Sequence, residues 1–127
     1  MPGPAQAGLF IYAKDLDRLA DFYARVLDMT CVARSSDLRV LDSPDMQLVL
    51  HEIPRFIADQ IEITVPPLKR EDTALKFFFT VSSLAAAQTA MNATGGDLFG
   101  ETFDGPGFRA RNAYDPEGNI FQLREKR

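Results

Sequence analysis

Cysteine, histidine and tryptophan are almost missing from this chain of 127 residues, which holds one Cys, one His and no Trp. A lone Cys31 cannot close an intramolecular disulfide, and with a single His beside it no zinc-type ligand spacing exists, so neither cross-links nor structural zinc are expected to hold the fold. Cys31 is expected to fill core space. No apolar run approaches the roughly 18 to 20 residues needed to cross a bilayer. The opening Met1-Pro2-Gly3-Pro4 carries neither a basic n-region nor an apolar h-region, which leads us to expect a cytoplasmic protein with no membrane partner. Positive charge is also short. Fourteen Lys and Arg stand against eighteen Asp and Glu, a formal charge of −4. With no basic stripe interleaved with aromatics, nucleic acid is not an expected partner. The single histidine has no Ser or Cys that spacing sets beside it, and no glycosidase-like carboxylate pair stands out, so the sequence shows no ready-made hydrolytic engine.

The chain has 46% hydrophobic and 25% charged residues. That balance is normal for a folded soluble domain, and the length suits one domain with one modest core. Leu9-Phe10-Ile11-Tyr12-Ala13 reads as a strand. Asp15 then caps a helix whose apolar positions Leu19, Phe22, Tyr23, Val26 and Leu27 recur at spacings of three and four. Three short strand candidates follow, about 29–34, 38–41 and 46–51, parted by turn-forming Ser35-Ser36-Asp37 and Asp42-Ser43-Pro44-Asp45. Residues 54–73 form a connector rich in Pro and charge, although the alternation in Ile61-Glu62-Ile63-Thr64-Val65 is strand-like. The first pattern then returns. A strand over 75–81 leads to Ser83 as cap, an Ala-rich helix over 84–94 is closed by Gly95-Gly96, and strands are expected at about 98–102, 108–114 and 119–124. Asp15-Leu16 corresponds to Ser83-Leu84 at an offset of 68 residues, and the turns at Pro44 and Pro116 lie 72 apart, so internal duplication is expected. The expected fold is α+β, a single domain over 1–127. It comprises two paired βαβββ modules, at about 8–53 and 74–125, each a curved mixed sheet with a helix on its outer face and the concave faces forming a cavity.

Two stretches resemble the vicinal oxygen chelate superfamily of glyoxalase I, bleomycin-resistance proteins, fosfomycin-resistance enzymes and extradiol dioxygenases. They are Ala13-Lys14-Asp15-Leu16 running into Asp21-Phe22-Tyr23 and Val26-Leu27-Asp28-Met29, and Asp115-Pro116-Glu117-Gly118-Asn119-Ile120-Phe121-Gln122-Leu123. The resemblance implies a homodimer with a ligand cavity. It also implies four strand positions at which the superfamily's metal enzymes hold a divalent ion. Here those positions fall on Gly8, on Lys76, on Gln122, and on Leu50 or His51 according to register. Hydrogen, an ammonium and an amide do not make the oxygen- and nitrogen-rich shell such an ion demands, so no metal or other cofactor is expected. The competing reading would need a slipped register and ligands from the connector, such as Asp59 or Glu62.

Strand parity assigns faces if the more apolar face of each strand packs on its helix. Leu9, Ile11 and Ala13 are then core and Phe10 and Tyr12 face the cavity. Phe77, Phe79 and Val81 are core, which directs Lys76 and Phe78 inward, and Phe121 and Leu123 as core direct Ile120, Gln122 and Arg124 there. His51 faces inward if Leu48 and Leu50 are core, whereas strict repeat alignment would choose the opposite parity. The expected ligand-binding residues are Phe10, Tyr12, Phe78, Gln122, Arg109 and Arg111. If a reaction occurs, His51 would act as general base and Lys76 would stabilise an oxyanion. The expected function is metal-independent binding of a small organic molecule with an anionic or carbonyl group, similar to the bleomycin-resistance type. Two alternatives stand beside it: a glyoxalase- or dioxygenase-type enzyme with an atypical metal site, and an interaction module whose cavity is filled by Phe side chains.

Overall fold

The computed structural model describes residues 5–127. The opening Met1–Pro4, read above as lacking an export signal, lies outside them. Eleven elements follow in order: β1 (Gly8–Ala13), α1 (Leu16–Leu27), β2 (Thr30–Arg34), β3 (Leu38–Asp42), β4 (Gln47–Glu52), α2 (Arg55–Ala58), β5 (Phe78–Val81), α3 (Leu84–Thr94), β6 (Asp97–Gly105), β7 (Phe108–Tyr114) and β8 (Ile120–Lys126). They build two four-stranded mixed sheets of like topology, β1-β4-β3-β2 and β5-β8-β7-β6. In each sheet the first and last strands of the module run parallel, Tyr12 opposite His51 in one and Phe78 opposite Gln122 in the other. The two βαβββ modules are therefore present as expected. No helix is long and apolar enough to cross a membrane among the described residues.

Local chemistry sets the helix ends where the sequence places them. The Asp15 carboxylate accepts from Arg18 N and Ser83 accepts from Ala86 N, each satisfying a first-turn amide. Asp28 at φ 53° and Gly95 at φ 99° close the two long helices in the left-handed conformation. The connector is the chief departure from the sequence reading. The strand-like run Ile61–Val65 pairs with nothing; one short helical turn precedes it, and Arg70 bridges Asn119. Alternation is only half of a strand's requirement, because the backbone donors must also find an open sheet edge. Cys31, expected in the core, is exposed. It lies in β2, an outer strand exposed along its whole length, where a bulge shifts the register between Cys31 and Ala33.

Helix α1 belongs to both modules. Leu16, Leu19 and Val26 join Ile11, Leu41, Leu48 and Leu50 of sheet one, while Phe22 and Tyr23 meet the buried face of sheet two in the same core. Phe121, fully buried, lies 6.1 Å from Phe22 and 5.5 Å from Tyr23 between ring centroids, and stacks on Phe77 at 5.4 Å. Offset and edge-on rings of this kind add to the area term of burial. The Tyr23 hydroxyl donates to Asp115 Oδ2 at 2.6 Å, and the Glu117 carboxylate accepts from the backbone amides of Lys14 and Asp15 at 2.9 and 2.8 Å. A turn in module two thus holds the residues that lead into the helix of module one. Burial pushes the Tyr23 hydroxyl and both carboxyls upward in pKa, opposed at Asp115 by donors from Tyr23, Asn119 and Glu117.

Candidate functional site

Burying one face of each sheet in a common core leaves the opposite face open. On sheet one, Phe10 is 60% and Tyr12 58% exposed, while Ile11 and Ala13, which alternate with them, are buried. His51 lies on the same open face, its ring centroid 5.7 Å from that of Tyr12. The parity set by Leu48 and Leu50 therefore holds, and the opposite register for His51 is excluded. Its Nδ1 is 2.8 Å from the carbonyl of Glu52, an acceptor only, so Nδ1 carries the proton; Nε2 stands 3.6 Å from Asp37 Oδ2.

Sheet two presents a more defined constellation. Phe78 on β5, Gln122 and Arg124 on β8, and Asn112 and Phe108 on β7 share its open face, as their register pairings dictate. The Arg124 guanidinium is clamped between two rings, 3.7 Å from the Phe78 centroid and 4.2 Å from that of Phe108. Its Nε donates to Gln122 Oε1 at 2.9 Å. Ala110, directly opposite Arg124 in register, is completely covered. Arg124 forms no ion pair among the described residues, and cation–π contact leaves the fork's remaining N–H groups available in the plane of the guanidinium. The buried Oδ1 of Asn112, the register partner of Gln122, has no hydrogen-bond donor. A positive fork with an open valence, flanked by two amides and held by two rings, can accept an oxyanion with an apolar or aromatic body.

The sequence-derived residues divide accordingly. Phe10, Tyr12 and His51 come together on sheet one, and Phe78 and Gln122 on sheet two. Lys76 is exposed ahead of β5, on the other sheet from His51, so no His51–Lys76 pair is assembled within the chain. The expected strand from residue 75 starts instead at Phe78. Arg109 and Arg111 need correction: they pair in register with Glu125 and Leu123, which puts them on the helix-bearing face and not among the open-face residues. Arg109 binds Asp104 at 3.1 Å, and Arg111 donates twice to Phe99 O at 2.9 and 2.7 Å. Parity already turned Arg124 toward the open face. What singles it out, two rings and no carboxylate, is a cross-strand property that sequence spacing does not show.

The four positions at which the superfamily holds an ion do not form a ligand shell. Gly8 offers no donor atom, Lys76 presents an ammonium, Gln122 Oε1 is engaged by Arg124, and His51 has its Nδ1 proton committed to a carbonyl. No group of three His, Cys, Asp or Glu suited to a metal exists among the described residues. This donor set does not fit a divalent ion.

Duplicated βαβββ modules, an Asp-Pro-Glu-Gly turn that anchors the entry to the first helix and two open sheet faces define the glyoxalase-like class. The family model described as a glyoxalase-like domain matches residues 8–124, and the chain belongs to that family. Solved structures agree on the fold. A glyoxalase/bleomycin resistance protein/dioxygenase family enzyme from Burkholderia phytofirmans PsJN is 17% identical, with a TM-score of 0.69 and coverage of 98% of this chain and 100% of that one. A glyoxalase/bleomycin resistance protein from Albidiferax ferrireducens T118 is 19% identical, with a TM-score of 0.68 and coverage of 95% and 98%. The fosfomycin resistance protein FosX from Listeria monocytogenes is 15% identical, with a TM-score of 0.65 and coverage of 100% and 94%. No curated protein matches the sequence.

Proposed function

We propose that this glyoxalase-like protein binds a small organic anion without a metal ion, on the open face of sheet two. The observation that carries this reading is Arg124, held between Phe78 and Phe108 with no carboxylate partner among the described residues. A carboxylate would take the free fork of the guanidinium, with the ligand's ring lying against the same aromatic walls; Gln122 keeps the guanidinium in place. Binding without turnover fits a site whose one histidine stands on the other sheet. Phe78 is 53% exposed, as are Phe10 and Tyr12 to a similar degree, and the proposal includes a second copy of the chain covering these faces in a homodimer.

The test is titration calorimetry with small aromatic carboxylates: benzoate, salicylate and phenylpyruvate. At least one should bind equally with and without EDTA, and Arg124→Met, which keeps the aliphatic stem, should weaken it at least about tenfold, the loss of one charge-assisted contact. Failure of all three to bind, binding abolished by EDTA, or an unaffected Arg124→Met variant would each refute the reading. Light scattering on the same samples reads the mass of the assembly.

A further inference from the structure

The two modules meet along two seams that the internal repeat makes equivalent. Seam one brings the start of α1 and the end of α3 to the turn Asp115–Gly118. Seam two brings the start of α3 and the end of α1 to the turn Ser43–Met46, the same positions shifted by the repeat. Seam one is filled. Arg18 lies against Gly95 and Pro116, Glu117 binds the amides of Lys14 and Asp15, and the Lys14 ammonium reaches Ile61 O in the connector. Seam two carries smaller side chains at the matching positions: Ala86 for Arg18, Ala87 for Leu19, Asp45 for Glu117 and Ser43 for Asp115. No connector crosses its lining. Seam two holds a recess of about 660 Å³ lined by residues 25–29, 43–46, 78–83 and 86–87.

We infer that this second seam is a binding site for a neutral, largely apolar small molecule, distinct from the guanidinium site around Arg124 although Phe78 borders both. The volume is in the usual range for small-molecule sites, about 300 to 1,000 Å³. With smaller side chains at the matching positions, this recess is lined by fewer charged groups than that of seam one. Its walls combine hydrocarbon from Leu27, Met46, Phe79, Val81, Ala86 and Ala87 with hydroxyls from Thr80 and Ser82. The charged rim favours no anion. Arg25 pairs with Asp21 at 3.6 Å, and Asp28 and Asp45 are acidic. A ligand with an apolar body and one uncharged hydroxyl or carbonyl therefore matches both the walls and the polar atoms.

The probe is p-cresol, followed by backbone amide shifts in two-dimensional NMR. Saturable shifts are expected at Leu27, Val81 and Ala87. Ala86→Arg and Ala87→Leu, which rebuild the side chains of seam one, should each weaken binding at least tenfold. Ala86 is exposed, so its variant keeps the test valid even if Ala87→Leu overpacks the core. Arg124→Met should leave p-cresol binding unchanged. Absence of saturable shifts at those amides, undiminished binding by Ala86→Arg, or loss of binding in Arg124→Met would overturn the inference, the last by moving the ring to the open face.

Discussion

Replacing Tyr23 with Phe removes one oxygen atom from the joint between the modules and leaves the ring packing of α1 on sheet two in place. In the native chain that oxygen donates to Asp115 Oδ2 at 2.6 Å, and both side chains are fully buried. Asp115 also accepts from Glu117 N at 2.9 Å, Asn119 N at 3.1 Å and Asn119 Nδ2 at 2.8 Å, so the variant retains three donors around the carboxylate. A hydrogen bond to a charged group contributes about 1.5 to 3 kcal/mol, so a loss of about 2 kcal/mol is expected at about pH 7. For a domain of this size that is a fall of roughly 6 to 10 °C in Tm. The sign of the pH dependence follows from burial. Asp115 has a folded-state pKa above its unfolded value, so its ionisation costs stability at neutral pH, and that cost is relieved as pH falls through the raised folded-state value toward the unfolded one. Without the hydroxyl the carboxyl titrates higher still, so the gap between variant and native protein should narrow on acidification, toward the roughly 1 kcal/mol of a bond between neutral groups. With no Trp in the chain, urea unfolding is best read by far-ultraviolet circular dichroism. A deficit under about 0.5 kcal/mol at neutral pH, or one that grows in acid, would refute the reasoning.

Two further variants test the scaffold. Gly118 has φ +88°, and a Cβ there would collide with the backbone carbonyl of Leu68, so Gly118→Ala should cost at least about 2 kcal/mol in chemical unfolding; a change within about 0.5 kcal/mol would show that the connector yields freely. Phe121→Ala empties the meeting point of Phe22, Tyr23, Phe77 and Phe79, and about 3 to 5 kcal/mol should be lost in the same assay. A loss below about 1.5 kcal/mol would mean that the core collapses around the gap.

The sequence by itself determined the modules, because each rests on local rules: apolar spacing along α1, Asp15 and Ser83 as caps, and period-two alternation in β1, β4, β5 and β8. Those same rules turned Phe10, Tyr12, His51, Phe78 and Gln122 toward the open faces. The connector misled, since Ile61–Val65 alternates without an edge to pair with. Which open-face residues act together was decided only by the tertiary structure. Arg124 acquires its two rings from strands on either side, and Arg109 and Arg111 fall on the other face because β7 is registered against Leu123. His51 and Lys76 part because the modules are joined through α1 and the Asp115–Gly118 turn. Local pattern fixes which way a side chain points from its own strand; which side chains become its neighbours depends on pairings between residues far apart in the chain, and no spacing along a single strand encodes that distance.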